Sequence, residues 1–239
     1  TTAEGTRVKE IYVSTDIECD GPCPGLNSML SFASVALDPT KGIGREAIVD
    51  VFEANLETLP GAKTDPETMK WWGADERKEA WERCRFQLQK PADVLPKYAA
   101  WLAQLGGAPI FVGYPASFDF TFIYYYLHRF SPGNNPFVRN AIDVETYAMA
   151  MLGSGYLKAG EHAWPDHWFD RSLKVTHVAL DDAMVTGFTF LRILNERVSK
   201  TFGAPLGAPQ PCLVCMKPGG ALMEGPHTYG AGCGRRKFG

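Results

Sequence analysis

The chain has no run of 18 or more apolar residues and opens with no charged-then-apolar leader. Its 239 residues therefore encode neither a membrane span nor a signal peptide, and a cytoplasmic location is the expectation. Cysteine is sparse and scattered, at positions 19, 23, 84, 212, 215 and 233, which excludes a dense secreted disulfide scaffold and favours reduced thiols. Neither sign of charge dominates. With 24 basic and 27 acidic residues the net charge is −3, which argues against a broadly basic nucleic-acid coat but not against an enzyme that meets phosphates through metal ions. No internal repeat is visible.

What is present is a core of ordinary size and a clear change of pattern along the chain. After a lead over residues 1–8, residues 9–17, "SMLSFASVALD" (28–38) and "EAIVDVFEANL" (46–56) read as three strands joined by short Gly/Pro/Asp-rich turns, an antiparallel meander. Helical segments follow in "DPETMKWW", "ADERKEAWERC" and "PADVLPKYAAWLAQLG", the last with Pro near its first turn and a Gly pair at its end. A short apolar run, "APIFVGY", leads into the helix "FDFTFIYYYLHRF". "NAIDVETYAMAML" reads as a further strand, and a loop over 153–172 precedes a long helix at 178–200. This order predicts an α/β fold with a five-stranded mixed sheet flanked by helices. Residues 9–200 form the domain. From 201 to 239 about a third of the residues are Gly or Pro, which reads as a C-terminal extension.

Chemistry concentrates at a few points. Asp16 and Glu18 stand two apart as the first strand ends, so their side chains leave the same face with Cβ atoms about 6.6 Å apart. Two like charges so placed are costly unless a cation joins them. Asp119 lies at the junction of the fourth strand and its helix, where ligands commonly meet such sheets. His177 precedes the last helix, with Asp181 and Asp182 in its first turn. Singly, each has a structural explanation as a turn, an N-cap or a partner of the helix dipole. Their order along the chain is what points to a site.

That order, D-x-E, then Asp, then H-x4-D, in "STDIECDG", "YPASFDFTFIYYYL" and "HVALDDAM", resembles the DEDD superfamily of 3′→5′ exonucleases in its histidine subclass, over residues 9–200. The tryptophan pair of "TMKWW" further resembles a branch that includes phage exonuclease A and mycobacterial exoribonucleases. The resemblance implies a ribonuclease H-like fold and two divalent cations, Mg²⁺ or Mn²⁺, suited to carboxylate oxygen. Asp16 would bridge both ions, Glu18 and Asp182 would hold the one that binds the attacking water, and Asp119 would support the other. The subclass spacing selects Asp182 over Asp181. His177 would take the proton from the water, a task suited to an imidazole with an ordinary pKa of about 6.5.

Cys19 and Asp20 follow the first motif, where the resemblance places substrate contacts made largely through backbone groups. The implied partner is the 3′ end of a nucleic acid, single-stranded or overhanging, with RNA favoured over DNA by the subfamily and nucleoside 5′-monophosphates as products. A non-cutting binding protein on the same fold is disfavoured because no acid of the set is missing. The sequence is silent on a homodimer. His162 and His167 read as loop residues. Cys212, Cys215, His227 and Cys233 are compatible with a tetrahedral zinc site, but their C-x2-C-x11-H-x5-C spacing departs from a compact knuckle and favours an extended tail.

Overall fold

The computed structural model describes residues 9–137 and 140–202. The lead over 1–8 lies outside the described residues. So does the extension beyond residue 202, with Cys212, Cys215, His227 and Cys233.

Strands β1 (Glu10–Cys19), β2 (Met29–Leu37) and β3 (Ile48–Asn55) form the expected meander. Helices α1 (Pro66–Trp72), α2 (Lys78–Cys84) and α3 (Pro91–Ala103) follow, then β4 (Ala108–Gly113), α4 (Ala116–Phe130), β5 (Ile142–Asp143), α5 (Val144–Leu152) and α6 (Ala179–Phe202). The sheet order is β3-β2-β1-β4-β5. β1 pairs antiparallel with β2 and parallel with β4, which makes it the strand on which the two halves of the sheet are joined.

The sheet is covered on both faces, and its central strands show it: all nine residues of β2 are buried, with no polar face turned to solvent. On one face α3 and α4 pack over Ile11, Val13 and Ile17 of β1 and Phe32 of β2. Tyr98 of α3 meets Phe32 edge-on at 4.9 Å and exchanges a 2.7 Å hydrogen bond with Ser34. The other face carries α6, where Phe190 packs on Tyr12 at 5.0 Å and Ala183, Leu191 and Leu194 join Val35 and Leu37.

One expectation is corrected. The segment 140–152 is a strand only over Ile142–Asp143, and Val144–Leu152 is α5. The carboxylate of Asp143 accepts from the Thr146 N–H at 2.8 Å and so caps α5, while Gly153 closes that helix in the left-handed conformation (φ 61°). The apolar stretch is short enough to suit either structure, and the cap together with the Ala, Met and Leu content decides for helix. The loop over 153–173 is built from three short helical turns. It is pinned to α6 by Glu196, which accepts from Trp168 Nε1 at 2.5 Å and pairs with His167 at 2.7 Å.

Close contact between α6 and β1 depends on Gly187. A Cβ there would stand 2.7 Å from Leu37 Cδ1 and 2.8 Å from Ser14 Cβ. Gly187→Ala is expected to lift α6 from the sheet and to cost about 1–3 kcal/mol of stability, read as a lowered midpoint in urea unfolding.

Candidate active site

β1 delivers Asp16 and Glu18 to the α6 face, opposite Ala33 and Ser31 of β2 in the register. A register shift falls between Glu18 and Cys19, just where the strand leaves the sheet. Such irregularities re-aim side chains beside functional sites. The first turn of α6 brings in Asp182. Carboxylate oxygens of Asp16, Glu18 and Asp182 all lie within 4.8 Å of one another, and Glu18 and Asp182 are only 8% and 9% exposed.

Asp119 enters from α4, buried, with one oxygen accepting the Ile17 N–H at 3.3 Å from between the two β1 acids. It is not part of the three-acid group, but its charge bears on both Asp16 and Glu18. The start of α4 is fixed by Asp143, whose second oxygen accepts the Ala116 N–H at 3.0 Å. One carboxylate thus caps α5 and anchors the helix that carries Asp119. The sequence reading missed this role, although the Asp143-x-x-Thr146 spacing is a recognisable helix start.

Asp182 is held by two backbone donors, Thr176 N at 2.9 Å and His177 N at 3.1 Å. Its neighbour Asp181 turns away, accepting from Thr176 Oγ1 at 2.8 Å and facing Arg83 at 3.8 Å. The two adjacent acids therefore point to different partners, Asp182 toward the acids of β1 and Asp181 away from them. His177 sits at φ 59°, a left-handed backbone unusual outside glycine, and its ring meets Trp71 at 4.9 Å and 79°.

Cys19 and Asp20 are bound into the scaffold. The Cys19 carbonyl accepts from Trp72 Nε1 at 2.9 Å, and burial pushes its thiol up to about 12. The Asp20 carboxylate accepts from Ser28 N at 2.5 Å, and its carbonyl accepts from Asp65 N at 2.7 Å. His162 and His167 lie in the pinned loop. A groove of about 500 Å³ runs between β3, α2 and the start of α6. Its walls include Glu53, Glu79 and Glu82 with Arg83 as their basic residue, a lining that repels phosphate.

Burial and mutual repulsion set the electrostatics. Burial first, then the charges of Asp119, Glu18 and Asp182, hold the Asp16 carboxyl well above the usual range; burial and then Asp182 and Asp119 do the same to Glu18. Burial raises Asp119 to about 7 and also raises Asp182, against the Thr176 and His177 groups that favour its ionised form. Repelling acids that face one another in this way suit a hard divalent cation.

A mixed, helix-covered sheet whose first strand carries D-x-E and whose last helix opens with H-x4-D defines a ribonuclease H-like nuclease. No protein-family profile matches the chain. The 3′-5′ DNA exonuclease Cap18 of Escherichia coli is 33% identical over 142 residues, covering 58% of this chain and 67% of that protein. The chain belongs to the DEDD superfamily of 3′→5′ exonucleases and is a hydrolytic enzyme. The fold matches the nuclease domain of 3′hExo, described as a DEDDh family member bound to rAMP, with a TM-score of 0.55 at 14% identity over 81% of this chain and 95% of that one. It also matches the 3′-exonuclease of a histone mRNA stem-loop complex, with a TM-score of 0.57 at 12% identity over 80% and 84% of the two chains.

The raised carboxyls have a measurable consequence. Asp119 binds its proton more tightly folded than unfolded, so without metal its contribution to stability is lost as pH rises from the ordinary Asp value near 4 to about 7. In EDTA the unfolding free energy is expected to fall between pH 5 and pH 8 by on the order of a few kcal/mol, read as a lowered melting temperature. Asp16→Asn should flatten that fall, and Mn²⁺ should restore more stability at pH 8 than at pH 5.

Proposed function

We propose that the chain removes nucleotides one at a time from a single-stranded or overhanging 3′ end, releasing nucleoside 5′-monophosphates with the help of two divalent cations, Mg²⁺ or Mn²⁺. The observation that carries this reading is the convergence of Asp16, Glu18 and Asp182 from β1 and α6 on one spot, three carboxylates that form no ion pair with a Lys or Arg among the described residues. Divalent ions held there by Asp16, Glu18 and Asp182 would lower the pKa of the attacking water and offset charge on the leaving oxygen.

The chain's own residues supply the rest. Asp16, Glu18 and Asp182 hold the cations, Asp182 oriented by the backbone of Thr176 and His177. Asp119 supports the cluster from α4, its distance from β1 fixed by the Ile17 N–H. His177, on the loop immediately before α6, accepts the proton of the attacking water on a ring nitrogen. Cys19 and Asp20 border the cluster and shape the end of β1; their backbone groups already bonded to Trp72, Ser28 and Asp65 make them a rigid wall for the terminal nucleotide.

For the polymer, the name of the 33%-identical relative favours DNA. RNA is the second reading, favoured by the resemblance of the tryptophan-pair segment to exoribonucleases.

The test is digestion of matched, 5′-labelled DNA and RNA strands, blunt and with 3′ overhangs, in Mg²⁺ and in Mn²⁺. A ladder shortening from the 3′ end is expected, and DNA is expected to be cut faster. Asp182→Asn should lose nearly all hydrolysis while keeping the wild-type circular-dichroism spectrum. Turnover by that variant at the wild-type rate would overturn the assignment.

A further inference from the structure

Trp71, at the end of α1, touches the site from outside the acid cluster. Its indole is held on several sides at once. The Arg77 guanidinium lies over the ring, 4.1 Å from its centroid, and donates to the Trp71 carbonyl at 3.1 Å. Trp72, buried and bonded to the Cys19 carbonyl, stands nearly perpendicular at 4.9 Å. The imidazole of His177 meets the indole at 4.9 Å and 79°.

Two features give this contact weight. The backbone of His177 is committed, with φ at 59° and its N–H donating to Asp182, but among the described residues no group donates to or accepts from the imidazole nitrogens. The direction of the ring therefore depends on what it packs against, and that is Trp71. The indole itself is chained through Trp72 to the carbonyl of Cys19, the residue next to Glu18, so the ring is referenced to the same strand end that carries the acids. With Arg77 over the indole and two rings at its sides, Trp71 is a poor platform for a nucleobase, even at 37% exposure.

We infer that Trp71 is a positioning residue for His177. It limits the imidazole to orientations that keep a ring nitrogen over the acid cluster while leaving both nitrogens free for the proton of the attacking water. The inference rests on the proton-accepting role given to His177 above. It concerns orientation, for which errors of about 1 Å can cost on the order of 100-fold in rate.

A double-mutant cycle on the full chain tests it, using single-turnover hydrolysis of a 3′-overhanging strand in saturating Mn²⁺. Trp71→Ala is expected to lower the rate at saturating strand by on the order of 10- to 100-fold, with the strand's KM little changed. Trp71→Phe, which keeps a ring, should recover most of that loss. In a His177→Ala background Trp71→Ala should cost nothing more. Trp71→Leu replaces the alanine variant if its melting curve shows unfolding. An equal loss with and without His177 overturns the inference alone, as does a raised KM with kcat intact, which would mean stacking on the strand. A wild-type rate for His177→Ala overturns the proton-acceptor reading and this inference with it.

Discussion

The repulsion among Asp16, Glu18, Asp119 and Asp182 is the constraint to which the rest of the structure answers. Buried carboxylates facing one another lose hydration and push one another toward protonation, so a pliable scaffold would splay them apart. This scaffold is not pliable. β1 has strands on both sides and helices on both faces, and α6 lies close over it because Ser14 and Gly187 leave no bulk at the crossing. The stability given up at the acids is offset by burial elsewhere, most visibly in β2.

Each acid is also fixed by a backbone group at its own address. Asp182 receives two N–H donors from the turn before α6, and Asp119 receives one from Ile17, between the β1 acids. Those donors favour the ionised form, the form a divalent cation needs. The same turn that supplies two of them holds His177 in a left-handed conformation, so the placement of Asp182 and of His177 is set by one local backbone arrangement. α4 is anchored at its first residue by Asp143, which places a third element in register with the other two.

The sequence was legible where local pattern and local structure coincide. The three-strand meander, the Pro-started α3 and the long α6 follow from alternation, caps and periodicity, and each matches the structure within a few residues. Residues 140–152 read as strand because a two-residue strand flows directly into a helix, leaving too few alternating positions to show where one ends. The role of Asp143 is hidden in the sequence for the same reason. Of the two adjacent acids, Asp181 turns to Thr176 and Arg83 while Asp182 joins the β1 acids, a division of directions that adjacency in sequence does not show.

By itself the amino-acid order determined which residue types recur at strand ends and helix starts, and therefore the fold class and the order of the candidate acids and histidine along the chain. It did so because D-x-E on a strand and H-x4-D at a helix start have fixed local geometry whatever surrounds them. Only the tertiary structure decided that Trp71 faces His177, that Asp143 anchors the helix of Asp119, and that Cys19 and Asp20 are tied into the wall. Those contacts join segments far apart along the chain, and no spacing rule reaches across a packed interface.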